Sequence, residues 1–206
     1  MAGKFENTRK KRKWPWIVGL CILTAILILL LVRCDSETGG VPTLTVETPQ
    51  KLSVSETEEF ALDVTISDLG DALYPAMSMS IGFDSSRLEF LGIGEGNVFI
   101  HDDQNSSGQQ LPDWSCNVQN SNDTGLINIM YLDMTGGKYA FSREFLAEEE
   151  NVLLRLQFRL RGSVRSGDVL EVTLEDAVFA ASDETQSLAM TLDTLKTKNG
   201  RIVIGD

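Results

Sequence analysis

Two hydrophobic patterns divide this chain. Residues 14–32 read WPWIVGLCILTAILILLLV and carry no charge. At about 1.5 Å of rise per residue, a helix of that length spans about 28 Å, close to the roughly 30 Å hydrocarbon core of a bilayer. From Pro42 onward the period changes to two. Leu44 and Val46 alternate with Thr45 and Glu47, and Phe60, Leu62, Val64 and Ile66 with Ala61, Asp63 and Thr65. Met77, Met79, Ile81 and Phe83 alternate with Ala76, Ser78, Ser80 and Gly82. The same holds for Ile127, Ile129 and Tyr131 against Asn128 and Met130, and for Leu154, Leu156, Phe158 and Leu160 against Arg155, Gln157 and Arg159. Each run reads as a half-buried strand.

Shorter strands are expected over residues 88–93, 170–174, 178–180, 188–192 and 201–204, with another through Trp114, Cys116 and Val118. Turn-forming clusters separate them at 68–71, 84–86, 120–125, 135–137 and 162–168, and residues 101–110 read as a polar loop. Residues 141–150 form the one stretch expected to be helical. Short strands without interleaved long helices predict an all-β antiparallel sandwich, preceded by one N-terminal transmembrane helix.

The flanks of the apolar run set its direction. Lys10, Lys11, Arg12 and Lys13 precede it directly, so the N-terminus is expected in the cytoplasm and the remainder outside the cell membrane. Trp14 and Trp16 suit the headgroup level. A cleaved secretory signal would share the basic start, but its apolar run is usually about 7 to 15 residues and ends in small residues. Here the run ends in Leu31-Val32-Arg33-Cys34. Arg33 also fits poorly before a lipid-modified Cys34. The expected organisation is a basic tail over 1–13, a signal-anchor helix over 14–33, a linker over 34–40 and a sandwich over 41–206.

Charge changes the functional picture. Residues 35–206 hold 11 basic and 29 acidic residues, a formal charge of −18. Such a surface repels nucleic acid. Cys116 is the single cysteine beyond residue 34, so no disulfide framework supports the domain.

Catalytic signals are sparse. His101, Asp102 and Asp103 form the one cluster that raises metal or acid–base chemistry. One His is short of a zinc site, and His101-Asp102-Asp103-Gln104-Asn105 lacks the spacing of a calcium loop. No nucleophile elbow, zinc-protease motif or phosphate-binding loop occurs. Glu148-Glu149-Glu150 reads as a solvated face. No catalytic residue, metal or cofactor is therefore expected. With Met77, Met79, Ile81 and Phe83 facing inward, Ala76, Ser78, Ser80 and Gly82 form a flat outer strip, beside Asn128 and Met130 on a second strand. A flat, small-residue face suits a docking helix. Trp114, with Tyr131 and Tyr139, raises a second reading, sugar binding by aromatic stacking, in which Trp114 is the free ring.

Four stretches, in order, resemble the cohesin domain, the receptor module of cellulosome scaffolds. They are AMSMSIGFDSSRLEFLGIG over 76–94, LINIMYLDMTGGKYAF over 126–141, VLLRLQFRLRGSVRSGDVLEVTLEDAVFAA over 152–181, and the closing GRIVI over 200–204. The resemblance implies a jelly-roll β-sandwich of about nine strands. It also implies a non-catalytic function: binding a dockerin, a small calcium-loaded helical module on a secreted protein such as a polysaccharide-degrading enzyme. Calcium would belong to that partner. Cohesins often carry Asn and Asp on the strand facing dockerin, and those positions fall here on Ala76 and Ser78. A carbohydrate-binding module and a structural subunit of a surface assembly are the alternatives.

Overall fold

The computed structural model describes residues 41–49, 51–53, 59–103, 108–136, 138–182 and 188–205. The expected tail, anchor and linker, residues 1–40, lie outside the described residues, as do Gln104 and Asn105. Among the described residues no helix is long and apolar enough to cross a membrane.

The strands are β1 (Thr43–Val46), β2 (Leu52–Ser53), β3 (Glu59–Ile66), β4 (Ala76–Phe83), β5 (Leu88–Glu95), β6 (His101–Asp103), β7 (Gly108–Gln110), β8 (Leu126–Leu132), β9 (Val152–Leu160), β10 (Val169–Ala180), β11 (Lys196–Lys198) and β12 (Gly200–Gly205). Two five-stranded sheets face each other. The first has the order β11-β1-β3-β9-β5 and the second β2-β12-β10-β4-β8. Both ends of the domain change sheets. β1 runs parallel to β11 in the first sheet, and β2 runs parallel to β12 in the second. Pro49 falls between β1 and β2, where it cannot donate to a ladder, and Arg201 N–H is taken up there by Thr48 Oγ1 at 3.1 Å.

The period-two pattern is cashed out in the core. Leu62, Val64, Met77, Met79, Ile81, Ile127, Ile129, Leu154, Leu156 and Phe158 are all buried. Each such side chain contributes about 1.5 to 3 kcal/mol, so this interior outweighs any surface pairing. Aromatic rings fill its two ends. Phe83, Phe90 and Phe158 meet with centroids 5.4 to 6.4 Å apart. At the other end Phe141 contacts Tyr131 at 5.2 Å and Phe179 at 5.6 Å.

Five sequence expectations are corrected. Residues 141–150 hold only a 3-10 turn, Arg143–Phe145. Among the described residues an α-helix forms instead at α1 (Val118–Thr124), in place of the expected strand end and turn. Asn117 caps it by accepting from Asn120 N–H, and Gly125 ends it at φ 72°. The polar loop 101–110 contains the β6–β7 hairpin. Residues 170–174 and 178–180 belong to one strand, β10, whose register shifts between Leu174 and Asp176. The extra residue changes the inward set from Leu170, Val172 and Leu174 to Ala177 and Phe179, so the alternation reads as broken. Of the expected strand over 188–192, only the Phe179–Met190 bridge forms.

Candidate docking face

The outer faces of the two sheets differ in chemistry. On the first sheet, register places Glu59, Arg159 and Glu89 in one row, with Asp63 and Arg155 paired further along. These charges close on one another. Arg159 reaches Glu59 at 2.7 Å and Glu89 at 3.5 Å, and Arg155 reaches Asp63 at 3.1 Å. Arg155 also donates to the Glu95 carbonyl at 2.7 Å.

The second sheet presents rows across β8, β4 and β10. Leu132, Ala76 and Ala180 lie side by side, then Met130, Ser78 and Val178, then Asn128, Ser80 and Asp176. Met130 is 52 % exposed and Leu132 53 %. Ser78 and Asn128 are exposed, whereas Ala76 and Ser80 are half-buried. Ser80 Oγ donates to Asn128 Oδ1 at 2.9 Å, joining the two strands through their polar residues. Five of the six residues picked out from the sequence, Ala76, Ser78, Ser80, Asn128 and Met130, thus share these rows.

Gly82 needs a correction. It faces outward by alternation but is buried, because the Glu175 carboxylate and the Thr173 hydroxyl lie over it. A Cβ there would meet Glu175 Oε1 at 2.5 Å and Thr173 Oγ1 at 2.7 Å. The accessible strip therefore ends at the row of Ser80. Leu132, Val178, Ala180 and Asp176 were missed from the sequence. For the last three the cause is the β10 bulge, and the adjacent pair Glu175-Asp176 was the signal available.

The other sequence candidates fall away from this face. Trp114 is not a free ring: it is half-buried, stacked on Phe141 at 5.7 Å and 26°, and edge-on to Tyr131 at 6.1 Å. Tyr139 is half-buried and Tyr131 buried, and among the described residues no aromatic ring is exposed enough to build a sugar-stacking platform. His101 is half-buried against Tyr139, ring centroids 5.1 Å apart. Its Nε2 is shielded and has no hydrogen-bond partner among the described residues. The side chains of Asp102 and Asp103 lie outside the description. Among the described residues no group of three or more His, Cys, Asp or Glu is placed to hold a metal ion. Glu148, Glu149 and Glu150 are exposed. An open cavity of about 460 Å³ beside His101 is lined by Leu73, Ile100, Lys138, Ala140, Glu144 and Phe145.

Electrostatics near the face centre on Tyr131. Burial, with Asp133 and Tyr139 adding to it, pushes this phenol up to about 12. Its hydroxyl donates to the Tyr139 carbonyl at 2.7 Å. Asp133 Oδ1 accepts from Thr135 N–H at 2.7 Å, which holds the turn after β8. Burial also raises the half-buried, free Cys116 thiol.

No protein-family model matches the sequence, and no curated protein matches it. Solved structures do. The third cohesin of ScaC from Acetivibrio cellulolyticus, solved with the ScaB dockerin, matches at 13 % identity and TM-score 0.59, over 80 % of this chain and 99 % of that one. The chain has a cohesin-like fold. The OlpA cohesin of Clostridium thermocellum, solved with a dockerin, matches at 16 % identity and TM-score 0.57, over 80 % of this chain and 99 % of that one. The cohesin CaCohA2 from Clostridium acetobutylicum matches at 20 % and 0.55, covering 80 % and 91 %. In this cohesin-like sandwich, Arg155 and Arg159 on one outer face are paired with carboxylates, and the other face has apolar side chains exposed.

Proposed function

We propose that the chain is a non-catalytic receptor that docks a dockerin-bearing secreted protein, such as a polysaccharide-degrading enzyme, at the outer side of a membrane. One observation carries this reading: the outer face of β8, β4 and β10 exposes Met130 and Leu132 beside the small residues Ala76 and Ser78, whereas on the opposite face Arg155 and Arg159 are taken up by their own acidic partners. Half-exposed Met and Leu on a flat sheet supply the apolar centre of an interface, and small neighbours leave room for side chains from a helix. The fold supports the same reading, since two of the similar cohesins were solved with dockerins. The apolar residues 14–32 would anchor the chain, with the sandwich outside the cell. Calcium belongs to the partner.

The test is capture by the full chain of a recombinant dockerin-bearing protein encoded by the same organism, with calcium or with chelator. Capture is expected with calcium alone. Ser78→Arg and Met130→Arg should lower affinity about tenfold or more by placing an unpaired charge at the apolar centre. Gln157→Arg, on the opposite sheet, should leave it unchanged. Capture that survives both face variants would refute this assignment of the face.

A further inference from the structure

The docking face is polarised along its length. Its first two rows, Leu132-Ala76-Ala180 and Met130-Ser78-Val178, contain one hydroxyl and no charge. The third row ends in Asp176, and Glu175 stands beside it at the bulge. Neither carboxylate makes an ion pair among the described residues. No Lys or Arg occurs on β4, β8 or β10. Ser80 and Asn128 are engaged with each other. The far end of the strip is therefore acidic, and among the described residues no ion pair neutralises it.

Outward-facing rows, two residues apart, are spaced by about 6.8 Å at about 3.4 Å per strand residue. A helix lying along the strands advances about 6 Å in four residues. Positions i, i+4 and i+7 or i+8 of one helix face then meet the three rows in turn. Resting on the docking reading above, we infer that the partner's contact helix carries apolar side chains at i and i+4 and a lysine or arginine at i+7 or i+8. The small side chains of Ala76, Ser78 and Ala180 leave room for large apolar anchors between Leu132, Met130 and Val178. A cation over Asp176 and Glu175 supplies the charge that β4, β8 and β10 lack, while a carboxylate in that place is repelled.

The test uses the full 206-residue chain in detergent micelles and one calcium-loaded recombinant dockerin whose contact helix is rebuilt in three versions. The three positions carry Leu, Leu and Lys in the first, Leu, Leu and Glu in the second, and Ser, Thr and Lys in the third. The first version should bind about tenfold more tightly than either of the others, with the gap to the second narrowing at high salt. Asp176→Lys should reverse the order of the first two, and Asp176→Asn should shrink their difference. Equal binding of all three, unmoved by Asp176→Lys, would overturn the inference and leave the docking reading standing. Binding by none of them, with circular dichroism confirming a folded chain, would overturn both.

Discussion

The Tyr131 hydroxyl lies among aromatic side chains, and the position shows how much of a residue's chemistry its neighbours decide. Period-two alternation is enough to turn Tyr131 inward, and it is 6 % exposed. Its acidity depends first on the burial that packing imposes, with Asp133 and Tyr139 adding to it. The folded phenol titrates at about 12, above an unfolded value of about 10, so the folded state holds the proton more tightly. The resulting stability is complete below pH 10 and is lost as pH rises through 12, a change of roughly 2 to 3 kcal/mol. Urea titrations at increasing alkaline pH should show that fall, and Tyr131→Phe should flatten it. An equally steep fall in the variant would remove Tyr131 as the cause. Gly82 and Trp114 make the complementary point. Alternation assigns Gly82 to the outer face, and polar neighbours make Trp114 look exposed. Only packing brings Glu175 over the one and Phe141 against the other.

At the scale of elements, α1 is held to the edge strand β5 by a single amide. Asn122 Oδ1 accepts from Phe90 N–H at 2.9 Å, and Asn122 Nδ2 donates to the Phe90 carbonyl at 2.8 Å. The side chain takes the place of a neighbouring strand at the sheet's free edge. Asn122→Ala strands both backbone groups of the buried Phe90 and should cost about 1 to 3 kcal/mol. The urea midpoint should then fall with little change in slope, and hydrogen exchange at Phe90 should quicken. Exchange as slow as in the parent chain would show that water replaces the amide. This element was not legible in the sequence, because the polar run VQNSNDT has no apolar stripe to mark a helix. Its stability comes from the Asn117 cap and the Asn122 clamp. β10 was half legible: each half alternates, and the bulge hides that they are one strand.

For the whole molecule, the charges separate the N-terminal segment from the sandwich, and the structure then separates the sandwich's two faces. If residues 14–32 anchor the chain, alkaline carbonate should leave it in the membrane fraction, and protease added to cells stripped of their wall should digest the sandwich while sparing the basic tail. Release by carbonate would remove the anchor from the proposal. Alternation along the chain was enough to assign the all-β class, the inward residues of β3, β4, β8 and β9, and the shared outer face of Ala76, Ser78, Asn128 and Met130. These follow from local rules, since a period of two assigns each side chain to a face without knowledge of its neighbours. Folding in three dimensions set which strands lie side by side, that Asp176 ends the strip and that Gly82 is covered. Only it decided that Arg155 and Arg159 find acidic partners while Asp176 finds no ion pair among the described residues. Strand order, bulges and cross-strand pairs depend on residues far apart in the chain, and no local periodicity encodes which of them meet.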